Sequence, residues 1–114
     1  MTAFRILLAV LTLALVAYTG VTIANHGVNL FPDFFGDMAE MGWPGQFNAD
    51  FTTMLAMSGL WLAWRHHFTP GGIALGVLGF FGGGPVLMTY LLVQSFRFNG
   101  DMKIVLVGPQ RASA

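Results

Sequence analysis

Three long apolar stretches set the plan of this chain. Residues 5–24 contain 19 uncharged positions after Arg5, close to the ~20 needed to cross ~30 Å of hydrocarbon. Residues 71–97 run for 26 positions without charge before Arg97. Residues 46–64 form the least obvious span, because only the 14 positions from Phe51 to Trp64 follow the last acid, Asp50. Between the first two stretches the pattern changes. Over residues 31–41, Phe31, Phe34, Phe35, Met38 and Met41 fall on one side of a helix and Asp33, Asp37 and Glu40 on the other, the pattern of a short amphipathic helix lying in a membrane interface. Pro32 suits its first turn and Gly42 its end.

After Arg97, Asn99-Gly100 marks a stop, and Met102 to Val107 is a run of high β propensity closed by Gly108-Pro109. The expected architecture is therefore an all-α membrane protein with three transmembrane helices, an interfacial helix in the first loop and an extended tail over residues 98–114. All of it belongs to one membrane domain, 1–114. With three crossings the termini fall on opposite sides. A cytoplasmic N-terminus puts Arg5 and the Arg65-His66-His67 turn inside and the acidic loop outside, whereas the reverse orientation puts Arg97, Lys103 and Arg111 inside, three Lys and Arg against two. The dominance of the first helix and the acidic loop without Lys or Arg favour the cytoplasmic N-terminus.

Composition strengthens this reading and adds no chemistry to it. Of 114 residues, 55% are hydrophobic and 9% charged, and the mean hydropathy is +0.68, far from a soluble globule. Five basic and five acidic side chains cancel, which leaves no field to gather nucleic acid. There is no cysteine, so disulfides, thiolate nucleophiles and cysteine metal sites are excluded. The first apolar run is longer than the 7–15 residues of a signal-peptide core and is read as an uncleaved transmembrane helix.

The most distinctive feature lies in the third stretch. Gly72, Gly76, Gly79 and Gly83 recur at steps of 4, 3 and 4, so in a helix they share one face and form a groove for close helix packing. Tyr90, Gln94 and Arg97 continue that face, and Pro85 is expected to kink the helix. Phe80, Phe81, Tyr90, Trp61 and Trp64 are candidate contacts for an apolar ligand such as a carotenoid, a quinone or a lipid. Asp50 is a candidate polar site, either the cap of the second helix or an intramembrane acid. His26, His66 and His67 do not meet in a three-span topology, and no metal site is expected. The Met38/Met41 and Met54/Met57 pairs sit on faces read as buried. No HExxH, GxSxG or Walker pattern occurs, so no catalytic residue is assigned.

From Arg5 to Arg97 the order of features resembles a family of small bacterial multi-span membrane proteins of unknown function. The resemblance rests on Phe47-Asn48-Ala49-Asp50, on Trp61-Leu62-Ala63-Trp64-Arg65, and on the stretch from Pro85 to Tyr90-Leu91-Leu92. It implies a multi-pass protein of the bacterial inner membrane and brings no activity with it. The expected role is an accessory or scaffold subunit that packs against other transmembrane subunits of a larger complex. The alternatives are a module binding an apolar cofactor, and a small proton-coupled transporter or intramembrane enzyme using Asp50.

Overall fold

A computed structural model describes residues 1–113. Their elements are α1 (Thr2–His26), α2 (Phe31–Glu40), α3 (Trp43–Arg65), α4 (Pro70–Gly82), α5 (Gly84–Arg97), α6 (Met102–Val107) and α7 (Pro109–Ala112), with no strand among the described residues. All five prolines of the chain stand at the first or second position of a helix: Pro32, Pro44, Pro70, Pro85 and Pro109. There the missing N–H has no intrahelical acceptor to lose, and the fixed φ is already helical.

Pro85 corrects the expectation for the third stretch. It opens a new helix instead of kinking an old one, and the chain breaks at Gly83, whose φ of 66° and ψ of −142° belong to a region that glycine alone enters freely. Residues 71–97 are thus two helices of 13 and 14 residues, each about 20 Å long, and not one crossing.

The contacts fix their directions. The site of a Cβ on Gly72 lies against His66, that on Gly76 against Gly59 and Ala63, that on Gly79 against Leu62, and that on Gly83 against Phe51 and Leu55. Hence α4 runs antiparallel to α3, from its end to its middle. Coming back, Gly84 faces Leu15 of α1, Tyr90 and Gln94 bond to Arg65, and Ser95 accepts from Arg5. Helix α5 therefore runs parallel to α3 and antiparallel to α1, and α4–α5 is a hairpin whose tip lies halfway along the body. Both ends of the described chain fall at the end where α3 and α5 finish; Met1 packs on Gly100 there.

Arg5, Arg65, Arg97, Lys103 and Arg111 all belong to that end. Asp33, Asp37 and Glu40 belong to α2, packed at the opposite end of α3, where Asn48 Nδ2 donates to the Phe34 carbonyl at 3.1 Å and Gly45 lies against Asp37 and Met38. The body measures 48 × 28 × 23 Å, so the charge is divided along its long axis.

The tail is also corrected, because Met102–Val107 is helical and not extended. The Asp101 side chain caps it by accepting from Lys103 N (3.1 Å) and Ile104 N (3.4 Å), which satisfies the orphan donors of the first turn. Val105 is fully buried, and that packing overrides the β preference of Ile104 and Val105.

Helix α1 is long and apolar enough to cross a membrane. Its hydroxyls are internally spent, with Thr12, Thr19 and Thr22 each donating to the carbonyl four residues back. Every residue from Leu13 to His26 is exposed, because α5 covers only the first half of α1.

Candidate functional site

The densest polar cluster forms where α3, α5 and α6 meet, around Arg65. The residue is 4% exposed, and four of the five N–H donors of the guanidinium have protein acceptors within 3.3 Å. Nε donates to Val105 O at 2.7 Å. Nη1 donates to Tyr90 Oη at 2.7 Å and lies 3.5 Å from His66 Nε2. Nη2 donates to Gln94 Oε1 at 3.3 Å and to Ile104 O at 3.1 Å.

No carboxylate belongs to this set. The charge is balanced by neutral dipoles, chief among them the C-terminal carbonyls of α6, the negative end of a short helix. The Tyr90 and Phe98 rings stand 5.5 and 5.8 Å away. Trp61 Nε1 takes the next carbonyl of α6, Leu106 O, at 2.9 Å. Arg111 of α7 donates to Trp64 O and stacks on the Trp64 ring at 3.9 Å, capping α3 as Arg65 and Trp61 cap α6.

This arrangement is a clamp. With four donors committed to the protein and the fifth turned toward His66, Arg65 is buried away from any substrate anion. The Tyr90 hydroxyl accepts from Arg65 and lies 2.6 Å from His66 Nε2, where it can donate to the neutral ring. Partial burial, followed by the charge of Arg65 and then those of His67 and Arg97, holds the His66 pKa below its usual 6.5 and favours that neutral state. Among the described residues no group of three or more His, Asp or Glu side chains is placed to hold a metal ion.

The other sequence-predicted residues disperse. Gly72, Gly76 and Gly79 are buried, with α3 of the same chain filling their groove, while Gly83 forms the hairpin tip. Phe80 and Phe81, in edge contact at 5.1 Å, line a groove of about 370 Å³ on the outside of the α3–α4 pair. Trp61 lines a separate groove of about 390 Å³ with Met57, Ser58, Leu87, Leu91 and Leu106. Tyr90 and Trp64 are held by Arg65 and Arg111, so the five proposed ligand contacts do not converge on one pocket.

Asp50 is exposed and lies inside α3, whose N-cap is Gly42; the capping expectation fails because the helix starts seven residues earlier. Met41, Met54 and Met57 are exposed, against the expectation of burial. The clamp role of Arg65 is not visible in its local sequence, where an arginine after Trp61 and Trp64 has the pattern of an interfacial anchor. The signal for it was the Tyr90/Gln94 pair, two polar groups one turn apart that need a donor when buried.

Comparison with known proteins found no matching family model, no matching curated protein and no matching solved structure. The function is therefore read from the geometry.

Proposed function

We propose that this chain is a small membrane-embedded accessory subunit. It crosses the bilayer twice, through α1 and α3, inserts α4–α5 as a re-entrant hairpin, and packs the far half of α1 against a transmembrane helix of a larger complex. The observation that carries the reading is the exposed stretch of α1 from Val16 to His26, beyond the contact of Leu15 with Gly84. Ala17, Gly20 and Ala24 are spaced there for close helix approach, and nothing beyond the neighbouring residues of α1 itself lies within 4 Å of the place a Gly20 Cβ would occupy. The glycine groove of α4 no longer argues for a partner, since α3 fills it.

Charge and length support the topology. At 23 residues, α3 measures about 34 Å, sufficient in length for a ~30 Å core. Among the described residues, however, α1 alone is both long and apolar enough to cross. Helix α3 carries the exposed Asp50 about 22 Å from Arg65, so its crossing requires water or a polar partner beside that carboxylate. With two crossings, all five Lys and Arg side chains share one side, which the positive-inside bias assigns to the cytoplasm. The irregular backbone at Gly83 is tolerable at membrane depth because it is buried against Phe51 and Leu55.

The test is a photo-crosslinking residue at position 20, activated in native membranes, together with accessibility tags at both termini. An adduct with a second protein and tags exposed on the same side are expected. A chain that crosslinks to nothing but lipid would remove the accessory role, and tags on opposite sides would remove the topology.

A second reading, a module for an apolar cofactor, is favoured by the two grooves. Each lies within the 300–1,000 Å³ typical of small-molecule sites and is lined by apolar side chains and glycine, with the Ser58 hydroxyl as an exception.

A further inference from the structure

We propose that the groove between α3, α5 and α6 holds one acyl chain of an anionic phospholipid, with the phosphate over Lys103 and Arg111; this rests on the membrane reading above. The walls are Met57, Ser58, Trp61, Leu87, Leu91 and Leu106, around about 390 Å³. The indole N–H of Trp61 is committed to Leu106 O, so the wall offers a chain mainly carbon.

The mouth is different. Lys103 precedes Leu106 by one turn of α6 and shares its face. Trp64 follows Trp61 by one turn of α3 and carries the Arg111 guanidinium on its ring. By register, Lys103 and the Trp64–Arg111 pair stand one helical turn beyond the lining residues Leu106 and Trp61, toward the basic pole of the molecule. Asp101 keeps its negative charge while it caps α6 through the backbone N–H groups of Lys103 and Ile104, and Arg5, Arg65, Arg97, Lys103 and Arg111 outnumber it at that end.

An apolar slot opening onto cations selects an amphiphile with a negative head. The leaflet that a basic pole faces supplies one, because anionic lipids concentrate on the cytoplasmic side and attract juxtamembrane Lys and Arg. A neutral quinone would use the slot and leave both charges unanswered.

The experiment reconstitutes the full chain with equimolar phosphatidylglycerol and phosphatidylcholine of the same acyl chains, extracts it gently, and counts retained lipids by native mass spectrometry. Phosphatidylglycerol should be retained in preference. Lys103→Gln should lower that preference about fivefold, and Leu91→Trp, which fills the slot, should abolish retention of both lipids. Equal retention of the two lipids, or a preference unchanged by Lys103→Gln, would overturn the site. Lys103 is exposed, so that variant stays informative if Leu91→Trp does not fold. Carbonate extraction of the same membranes separates the two failures. A pelleted chain without lipid preference sinks the lipid site alone, and a chain released to the supernatant sinks the membrane reading with it.

Discussion

Gly59 of α3 and Gly76 of α4 meet backbone to backbone. A Cβ on Gly59 would stand 2.8 Å from the Gly76 carbonyl oxygen, and one on Gly76 would stand 2.7 Å from that of Gly59. Neither carbonyl can yield without moving its helix. Gly59→Ala or Gly76→Ala is expected to cost about 1–3 kcal/mol through overpacking. Gly71→Ala, with nothing within 4 Å of its Cβ position, should cost nothing. Thermal unfolding in mild detergent distinguishes them, and equal melting temperatures for all three would refute the close-contact account.

Arg65→Met would leave Tyr90, Gln94 and the Ile104 and Val105 carbonyls without their donor. Each buried group left unsatisfied costs about 1–3 kcal/mol. The weakest element attached to the clamp is the six-residue α6, so release of the tail is expected before global unfolding. Limited proteolysis should cut between residues 98 and 112 in Arg65→Met and spare the native chain. Arg65→Lys, with three donors on one atom in place of a planar fork, should fall between them.

The depressed pKa of His66 gives stability a pH dependence of definite sign. Below its ordinary value of 6.5, the unfolded chain binds a proton that the folded ring refuses. Stability is then complete above about pH 6.5 and declines as the pH falls from there toward the folded pKa. His66→Gln should flatten this part of the profile. Melting temperatures from pH 5 to 8 check it; a native chain that gains stability on acidification through that window would contradict the burial and Arg65 effects.

Gly83 and Pro85 have unequal roles at the hairpin tip. Gly83→Ala forces a side chain to φ 66° and brings its Cβ within 3.3 Å of the Phe51 ring, for an expected loss of about 1–3 kcal/mol. Pro85→Ala removes only the pre-set first turn of α5 and should cost less than about 1 kcal/mol. If Pro85 were a kink within one helix, its replacement would instead straighten the chain and carry Tyr90 away from His66. A lost His66–Tyr90 coupling in that variant, read by histidine titration, would restore the kink.

The helical class, the long apolar α1, the amphipathic α2 and the glycine face of α4 are legible in the residues alone, because these depend on period and composition within one segment. The residues also mark every break, yet Pro85 and Gly83 have the same local signature whether a helix bends or ends. That α5 turns back depends on contacts between distant segments, since Tyr90 and Gln94 must reach Arg65, 25 and 29 residues earlier in the chain. That return places both ends of the described chain together and draws all five basic residues to one pole. The tail shows the same division. Ile104 and Val105 favour a strand locally, and they become helical because Asp101 caps one end while Trp61 and Arg65, more than 35 residues away, hold the carbonyls of the other. Propensities of a fraction of a kcal/mol yield to a buried guanidinium whose every donor needs an acceptor.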